Sequence, residues 1–237
     1  MKRFSYIFLL CIALLQVSCE FKSKGVFTDD STEKYQLYDY YIDEYGNEGI
    51  VAYIYSGYSG REYMIVISLD ESYQPWGPMG EMVYKTDSVT SEMLQDPSFG
   101  VAVHQAMWSA GMARYPAQAW CDAKNNGERY PRAGSWRLPT FHELRLLFDE
   151  NKDRSLPALN AALAGVGGTT VNSNNLYWTC VEDFNGYITF KSSKSDYDRE
   201  NRAVITSPTN SSYTNKDRWL KKNKYYVRAI KYVYYSY

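Results

Sequence analysis

The sequence predicts an α+β fold, and three observations carry that prediction. Strand-like runs come first, helix-like runs fill the middle and strand-like runs return, the order expected of α+β architectures. A helix-capping signature, Thr140-Phe141-His142-Glu143, stands in the middle section. The last third is dense in Tyr, Val and Ile, the residues that suit a pleated, half-buried surface.

Each element has a local reason. Gly49 to Ile54 is a β-rich run after the turn-like Tyr45-Gly46-Asn47, and Glu62 to Ser68 is a second one. The Gly-containing stretch between them predicts a hairpin. Pro75, Gly77, Pro78 and Gly80 mark a loop around Trp76. Val101 to Met112 reads as a helix, and Pro116 suits the first position of another that Gly127 would stop.

At the next helix the Thr140 hydroxyl accepts from the Glu143 N–H while the Glu143 carboxylate reaches back to the Thr140 N–H. Phe141, Leu144, Leu147 and Phe148 then fall three or four apart on one face. Pro157 to Ala164 is a further short helix, ended by Gly165, Gly167 and Gly168. Strands are expected at Leu176–Val181, Gly186–Lys191, Arg202–Thr206 and, as one long run, Tyr225–Tyr234. Between them lie loops rich in Asn, Ser, Asp, Thr and Tyr.

The N-terminal residues speak of an address. Lys2 and Arg3 precede an apolar run from Phe4 to Leu15, closed by Ser18 and Cys19. This is a secretory layout, shorter than the ~20 apolar residues of a membrane span. It resembles a bacterial lipoprotein signal, which implies that residues 1–18 are removed, that Cys19 is lipidated and that the membrane is met through the lipid alone. Glu20 after the cysteine suits sorting to the outer membrane. Residues 19–34 read as a tether and residues 35–237 as a single domain.

Tyr115-Pro116-Ala117 with Trp120-Cys121, then Trp136-Arg137-Leu138-Pro139-Thr140 with Glu143-Leu144, then Asn160, Tyr177-Trp178 and Val227-Arg228, form an ordered set. That set resembles the Lcl C-terminal domain family, named for a bacterial collagen-like adhesin. The resemblance covers roughly Asp43 to Val233. It implies a C-type-lectin-like fold with two main helices on a small twisted antiparallel sheet, the chain ends together and long irregular loops on one side. Formylglycine-generating enzymes share that fold and an Arg-Leu-Pro-Thr helix start but use a late cysteine pair, and this chain has no cysteine after Cys180. The Glu-Pro-Asn and Trp-Asn-Asp triplets of calcium-dependent lectins do not occur. Asp183, Asp196 and Asp198 are loop carboxylates with the chemistry to coordinate calcium, although the ordinary reading of acidic loop residues is solvation.

No catalytic constellation is legible, and the chain is not expected to be an enzyme. His104 and His142 have no nucleophile placed beside them by sequence. Two histidines and the cysteines show no zinc-like spacing, so neither metal nor other cofactor is expected. Cys121 and Cys180 are either a disulfide or two buried thiols. The exported setting permits a bridge, which would close a loop of about 60 residues and add roughly 4 kcal/mol.

Charge is segregated although the net value is only −1. Fifteen acidic and five basic residues lie between Glu20 and Gly100, whereas eleven basic and four acidic lie between Lys191 and Tyr232. Tyr197, Arg199, Arg202, Tyr213, Lys216, Arg218 and Trp219 are therefore the candidate ligand-binding residues. Guanidinium groups grip sulfate or carboxylate, and aromatic rings stack on sugar faces. The family's namesake binds sulfated glycosaminoglycans, in agreement. The competing reading pairs the basic segment with the acidic N-terminal segment inside one domain.

Tyr accounts for 24 residues of 237 and mixes with Asn, Ser and Gly, as in adaptable binding surfaces. The late loops also look like the variable regions of C-type-lectin-fold proteins diversified by retroelements. The function expected is a surface-anchored binding module or adhesin for a glycan or protein, with a structural subunit of the outer membrane or an appendage as the alternative. An exported lipoprotein seldom meets nucleic acid, so none is expected.

Overall fold

The computed structural model describes residues 35–43, 45–56, 62–84, 96–126, 131–132, 134–148, 155–182, 201–208 and 217–234. The signal segment, Cys19, the tether and the expected strand at Gly186–Lys191 lie outside these residues.

Four strands come first: β1 (Tyr40–Ile42), β2 (Glu48–Ser56), β3 (Glu62–Ser68) and β4 (Ser72–Pro75). The helices α1 (Pro97–Gly111), α2 (Pro116–Asp122), α3 (Phe141–Phe148) and α4 (Leu156–Gly165) follow. Five strands close the described residues: β5 (Tyr177–Glu182), β6 (Arg202–Thr206), β7 (Asp217–Leu220), β8 (Lys224–Val227) and β9 (Ile230–Tyr234). The α+β class stands.

The architecture differs from two main helices on one small sheet. Four α-helices and two sheets make up the described residues. The first sheet, in the order β1-β2-β3-β9, is antiparallel throughout. The second, β4-β8-β5-β6-β7, is mixed, because β5 and β8 run parallel. The expected long strand Tyr225–Tyr234 is two strands in different sheets. Arg228 is the reason: its buried guanidinium donates to the carbonyls of Ser68 (3.0 Å) and Thr169 (2.9 Å) and to Glu71 (2.8 Å). Those bonds hold the chain where it crosses from one sheet to the other, which side-chain alternation does not reveal.

Caps account for the helix boundaries. The Asp96 carboxylate accepts from the Ser98 N–H at 2.9 Å and Pro97 opens α1, so this helix starts four residues before Val101. Past α2 the chain turns at Asn126, left-handed at φ 45°, one residue before the expected stop at Gly127. Ser155 caps α4 by accepting from the Ala158 N–H at 3.2 Å. On α4 the Asn160 amide pairs with both the N–H and the C=O of Val171, at 2.7 and 2.8 Å, and ties down the loop that follows.

The first sheet is buried on both faces. Val51, Met64 and Val66 pack with Trp76, Phe99, Val103, Trp136 and Trp178. Ile50, Ile65, Ile67 and Ile230 pack with Leu144, Leu147, Leu159 and Leu163 of α3 and α4. Continuous apolar runs such as Met64 to Ile67 follow from that two-sided burial.

Between these cores runs Trp136 to Thr140, held from every side. Asn125 pairs with the Trp136 backbone at 2.7 and 3.0 Å. Arg137 exchanges two backbone bonds with Ile230 at the start of β9, both 3.0 Å. The Leu138 N–H donates to Gln118 of α2 at 2.9 Å, and the Pro139 carbonyl accepts from Cys180 of β5 at 2.8 Å. The Thr140–Glu143 capping box forms as expected, with bonds of 2.7 and 3.1 Å.

The same Glu143 carboxylate takes both terminal nitrogens of Arg137, at 2.6 and 2.8 Å. The Arg137 guanidinium lies against α1 where Gly100 has no side chain; a Cβ there would sit 2.5 Å from it. Arg137→Met is expected to cost about 3–5 kcal/mol in urea denaturation, because it strands the Glu143 carboxylate in the core. Glu143→Gln should then cost much less in that variant than in the wild type. Additivity within about 0.5 kcal/mol would contradict this coupling.

Candidate functional site

The candidate face centres on the outer edge of the second sheet. Among the described residues β7 is its last strand and pairs with β6, with Trp219 opposite Ala203 and Leu220 opposite Arg202. Trp219 is exposed, and its ring meets Tyr225 of β8 edge-on at 5.9 Å between centroids. Tyr225 in turn meets the buried Trp178 at 5.0 Å. The aromatic chain thus runs from the core to the surface and holds the outer indole in place.

Of the seven candidates, the structure places Arg202, Arg218 and Trp219 on the adjoining strands β6 and β7, with Arg202 and Arg218 at register positions that alternate with the Trp219–Ala203 pair. Arg202 opens β6 and is half-buried. The Arg218 backbone lies in β7 opposite Val204, and its side chain is outside the description. Tyr197, Arg199, Tyr213 and Lys216 lie outside the described residues, as do Asp183, Asp196 and Asp198. Lys222 and Lys224, in and after the β7–β8 turn, are exposed; the sequence counts them in the basic segment but not among the candidates. Their signal is the turn that lifts them out, set by the Asn223 N–H bond to the Leu220 carbonyl at 2.9 Å.

Other residues of the basic segment turn inward. Lys221 is fully buried and donates to Glu182 at 2.5 Å and to the Glu81 carbonyl at 2.7 Å, with its ammonium 4.8 Å from the Trp76 ring centre. The Glu182 carboxylate also accepts from the Val83 and Tyr84 N–H groups at 3.0 and 3.1 Å. This cluster fastens the loop after β4 to the end of β5. Arg228 pairs with Glu71, and Lys231 with Asp43 at 3.1 Å. The last two bonds join the basic segment to the acidic N-terminal one, as the competing reading of the charge pattern holds. Arg137, too, is a structural ion-pair partner.

Burial alone would raise the Asp43 carboxyl. Hydrogen bonds from Trp136, Asn47 and Lys231 outweigh it and hold the group below its ordinary value. Glu143 is likewise held low by Arg137 and the Thr140 N–H, against the opposing push of burial.

Trp136 and Trp178 are core residues, and Trp120 is half-buried under the Lys124 ammonium at 4.5 Å. His104 is buried on α1 and bonds Asp122 of α2 through Nε2 at 2.9 Å. Burial pulls its pKa below the ordinary value and outweighs the Asp122 bond, so the ring is neutral at pH 7. Cys121 and Cys180 are free, buried thiols in one core; of the two readings left open, the structure has the thiols and not the bridge. Burial pushes both upward, Cys180 to about 12, which makes them poor nucleophiles. Among the described residues no group of three or more His, Cys, Asp or Glu is placed to hold a metal ion.

No protein-family model matches the chain, and no curated protein does. Among solved structures it is similar to a fimbrial protein from Bacteroides ovatus, with 17% identity and a TM-score of 0.47. The match covers 70% of this chain and 35% of that one, so the chain spans about a third of that protein's length.

Stability should depend on pH in two steps. The folded His104 pKa lies below 6.5, so the unfolded chain takes up a proton that the folded one refuses as pH falls through 6.5. The folded values of Asp43 and Glu143 lie below 3.8 and 4.5, so their contribution is complete above those values and disappears below them. Urea-unfolding free energy is therefore expected to be level above pH 7, to slip below about 6.5 and to drop steeply in acid; His104→Asn should remove the first decline alone. With a thiol reagent, Cys121 and Cys180 should remain unmodified in the native protein and react fully in denaturant. Rapid native labelling of either would contradict the packing described.

Proposed function

We propose that this protein is a surface-anchored binding module, of the adhesin type, that engages a glycan or protein ligand through the β7 edge and the late loops beside it. The observation that carries this reading is Trp219, a large aromatic residue 41% exposed on an edge strand and steadied by Tyr225. A ring already held in place loses little freedom on binding, which is why Trp and Tyr dominate the energetics of contact surfaces. Exposed Lys222 and Lys224 follow it by three and five residues in the chain, and Arg202 lies on the adjoining strand β6. Cations on the same edge as an aromatic ring suit an anionic glycan, sulfated ones included.

A lipid on Cys19 is the proposed anchor, supported by Lys2, Arg3 and the Phe4–Leu15 apolar run. Among the described residues no helix is long and apolar enough to cross a membrane. The outer membrane, facing outward, is the proposed address. A C-type-lectin-like domain of the Lcl C-terminal type is the proposed fold family, supported by the ordered motifs and by β9 lying beside β3. Binding rather than catalysis is supported by the burial of His104, Cys121 and Cys180 in the core.

The test is surface plasmon resonance against heparin-derived and unsulfated oligosaccharides at rising salt. Affinity for the sulfated ligand should fall with ionic strength, Trp219→Ala should weaken it roughly tenfold, and Lys222→Glu with Lys224→Glu should flatten the salt dependence. Lys231→Met should lower stability and leave affinity unchanged. Binding indifferent to salt and to Trp219 would overturn the anionic-glycan version, and a stable protein partner retained by the Trp219 surface would assign that surface to assembly instead.

A further inference from the structure

The first sheet carries a second surface, remote in sequence from the late loops. Three cross-strand rows cross β2, β3 and β9 on the face that receives α3 and α4. The register aligns Ile50 with Ile67 and Ile230, Tyr53 with Ile65 and Tyr232, and Tyr55 with Tyr63 and Tyr234. Residues directly opposite in an antiparallel sheet share a face. The irregularity between Val51 and Tyr53 shifts the alternation and turns Tyr53 and Tyr55 to the side of Ile50.

Along these rows burial gives way to exposure. The isoleucine row lies buried against α3 and α4. In the middle row Ile65 and Tyr232 are buried and Tyr53 is half-buried. In the outer row Tyr55 is 41% and Tyr234 48% exposed, on either side of the half-buried Tyr63. The Tyr55 and Tyr63 rings stack with centroids 4.9 Å apart and planes 17° from parallel. Tyr234 follows at 6.1 Å from Tyr63, and Tyr232 braces Tyr63 from behind at 5.1 Å. Where the helices stop covering the sheet, aliphatic side chains are replaced by rings that carry hydroxyls.

This row has the opposite electrostatics to the Trp219 edge. No residue of the three rows is charged. Behind Tyr232, Arg137 lies 5.4 Å from its ring and is paired with Glu143. Among the described residues of the three rows an anionic polymer meets no cation, and the rings present both aromatic carbon and hydroxyls. An uncharged saccharide has both features required, apolar ring faces to meet aromatic carbon and hydroxyls to exchange hydrogen bonds with the tyrosine rims. Burial, neighbouring tyrosines and Glu143 push the Tyr63 hydroxyl up to about 12, so it remains a donor at any physiological pH.

We propose that the Tyr55–Tyr63–Tyr234 row is a second binding site, for an uncharged oligosaccharide. The probes are maltoheptaose, cellohexaose and mannohexaose, titrated calorimetrically into the full chain at low and high salt. At least one should bind, with an affinity that salt and Trp219→Ala leave unchanged. Tyr55→Ala and Tyr234→Ala should each weaken it roughly three- to tenfold, with thermal melting confirming that both variants are folded. Tyr234→Phe, which keeps the ring, should bind more tightly than Tyr234→Ala. Absence of binding by all three sugars, or tyrosine variants that bind like the wild type, overturns the proposal. Concentration-dependent dimerisation abolished by Tyr234→Ala also overturns it and assigns the row to a second copy of the chain. Since these readouts do not use the Trp219 edge, their failure leaves the anionic-ligand reading standing, and the converse holds.

Discussion

The Arg137–Glu143 pair is the interaction on which the rest of the structure depends. One carboxylate answers the N-terminal amide of α3 at Thr140 and both terminal nitrogens of Arg137. The backbone of Arg137 holds the start of β9, and its guanidinium occupies space that α1 leaves open at Gly100. A helix cap, a sheet edge and a helix-to-sheet contact thereby become one condition. Buried ion pairs are expensive to desolvate, and their value lies in geometry that excludes alternatives. Here the bidentate geometry sets where α3 enters and where β9 is placed, and neither can shift without stranding a charge.

The same logic repeats wherever the chain must be tied across a long separation in sequence. Lys231 meets Asp43, Arg228 meets Glu71, and Lys221 meets Glu182. Each cation comes from the basic final segment, and two of the three carboxylates come from the acidic N-terminal one. Segregated charge is here in part a folding device, which closes the chain end onto its beginning. Among the cations of the basic final segment whose side chains are described, Lys222 and Lys224 are the exposed ones. The tyrosine row on the other sheet offers contact without charge, so the proposed activities separate by chemistry as well as by position.

Local signals were the legible ones. Thr140 and Glu143 announce a capping box because both bonds lie within four residues. Glu62–Ser68 and Arg202–Thr206 read as strands because β-rich runs need no distant partner to be recognised. The break inside Tyr225–Tyr234 was not legible, since Arg228 interrupts an otherwise good β run for the sake of partners at Ser68, Glu71 and Thr169. The cap at Asp96-Pro97 was written in the chain, but the helical periodicity is clear only from Val101 onward. At the candidate site Trp219 could be read as an aromatic residue among cations. That Lys221 points inward while Lys222 and Lys224 point outward depends on the turn and on Glu182, 39 residues away in sequence. The tyrosine row emerges only from the register of three strands and the irregularity in β2.

Native-state hydrogen exchange tests the central claim most directly. The amide protons of Arg137, Thr140, Cys180 and Ile230 belong to α3's cap, β5, β9 and the segment between them. If the Arg137–Glu143 pair makes these one cooperative unit, all four should exchange only through global unfolding, with one common free energy equal to that of denaturant unfolding. Exchange of the Thr140 amide at a distinctly lower free energy, with Ile230 and Cys180 still protected, would show that the cap opens independently and would contradict the account.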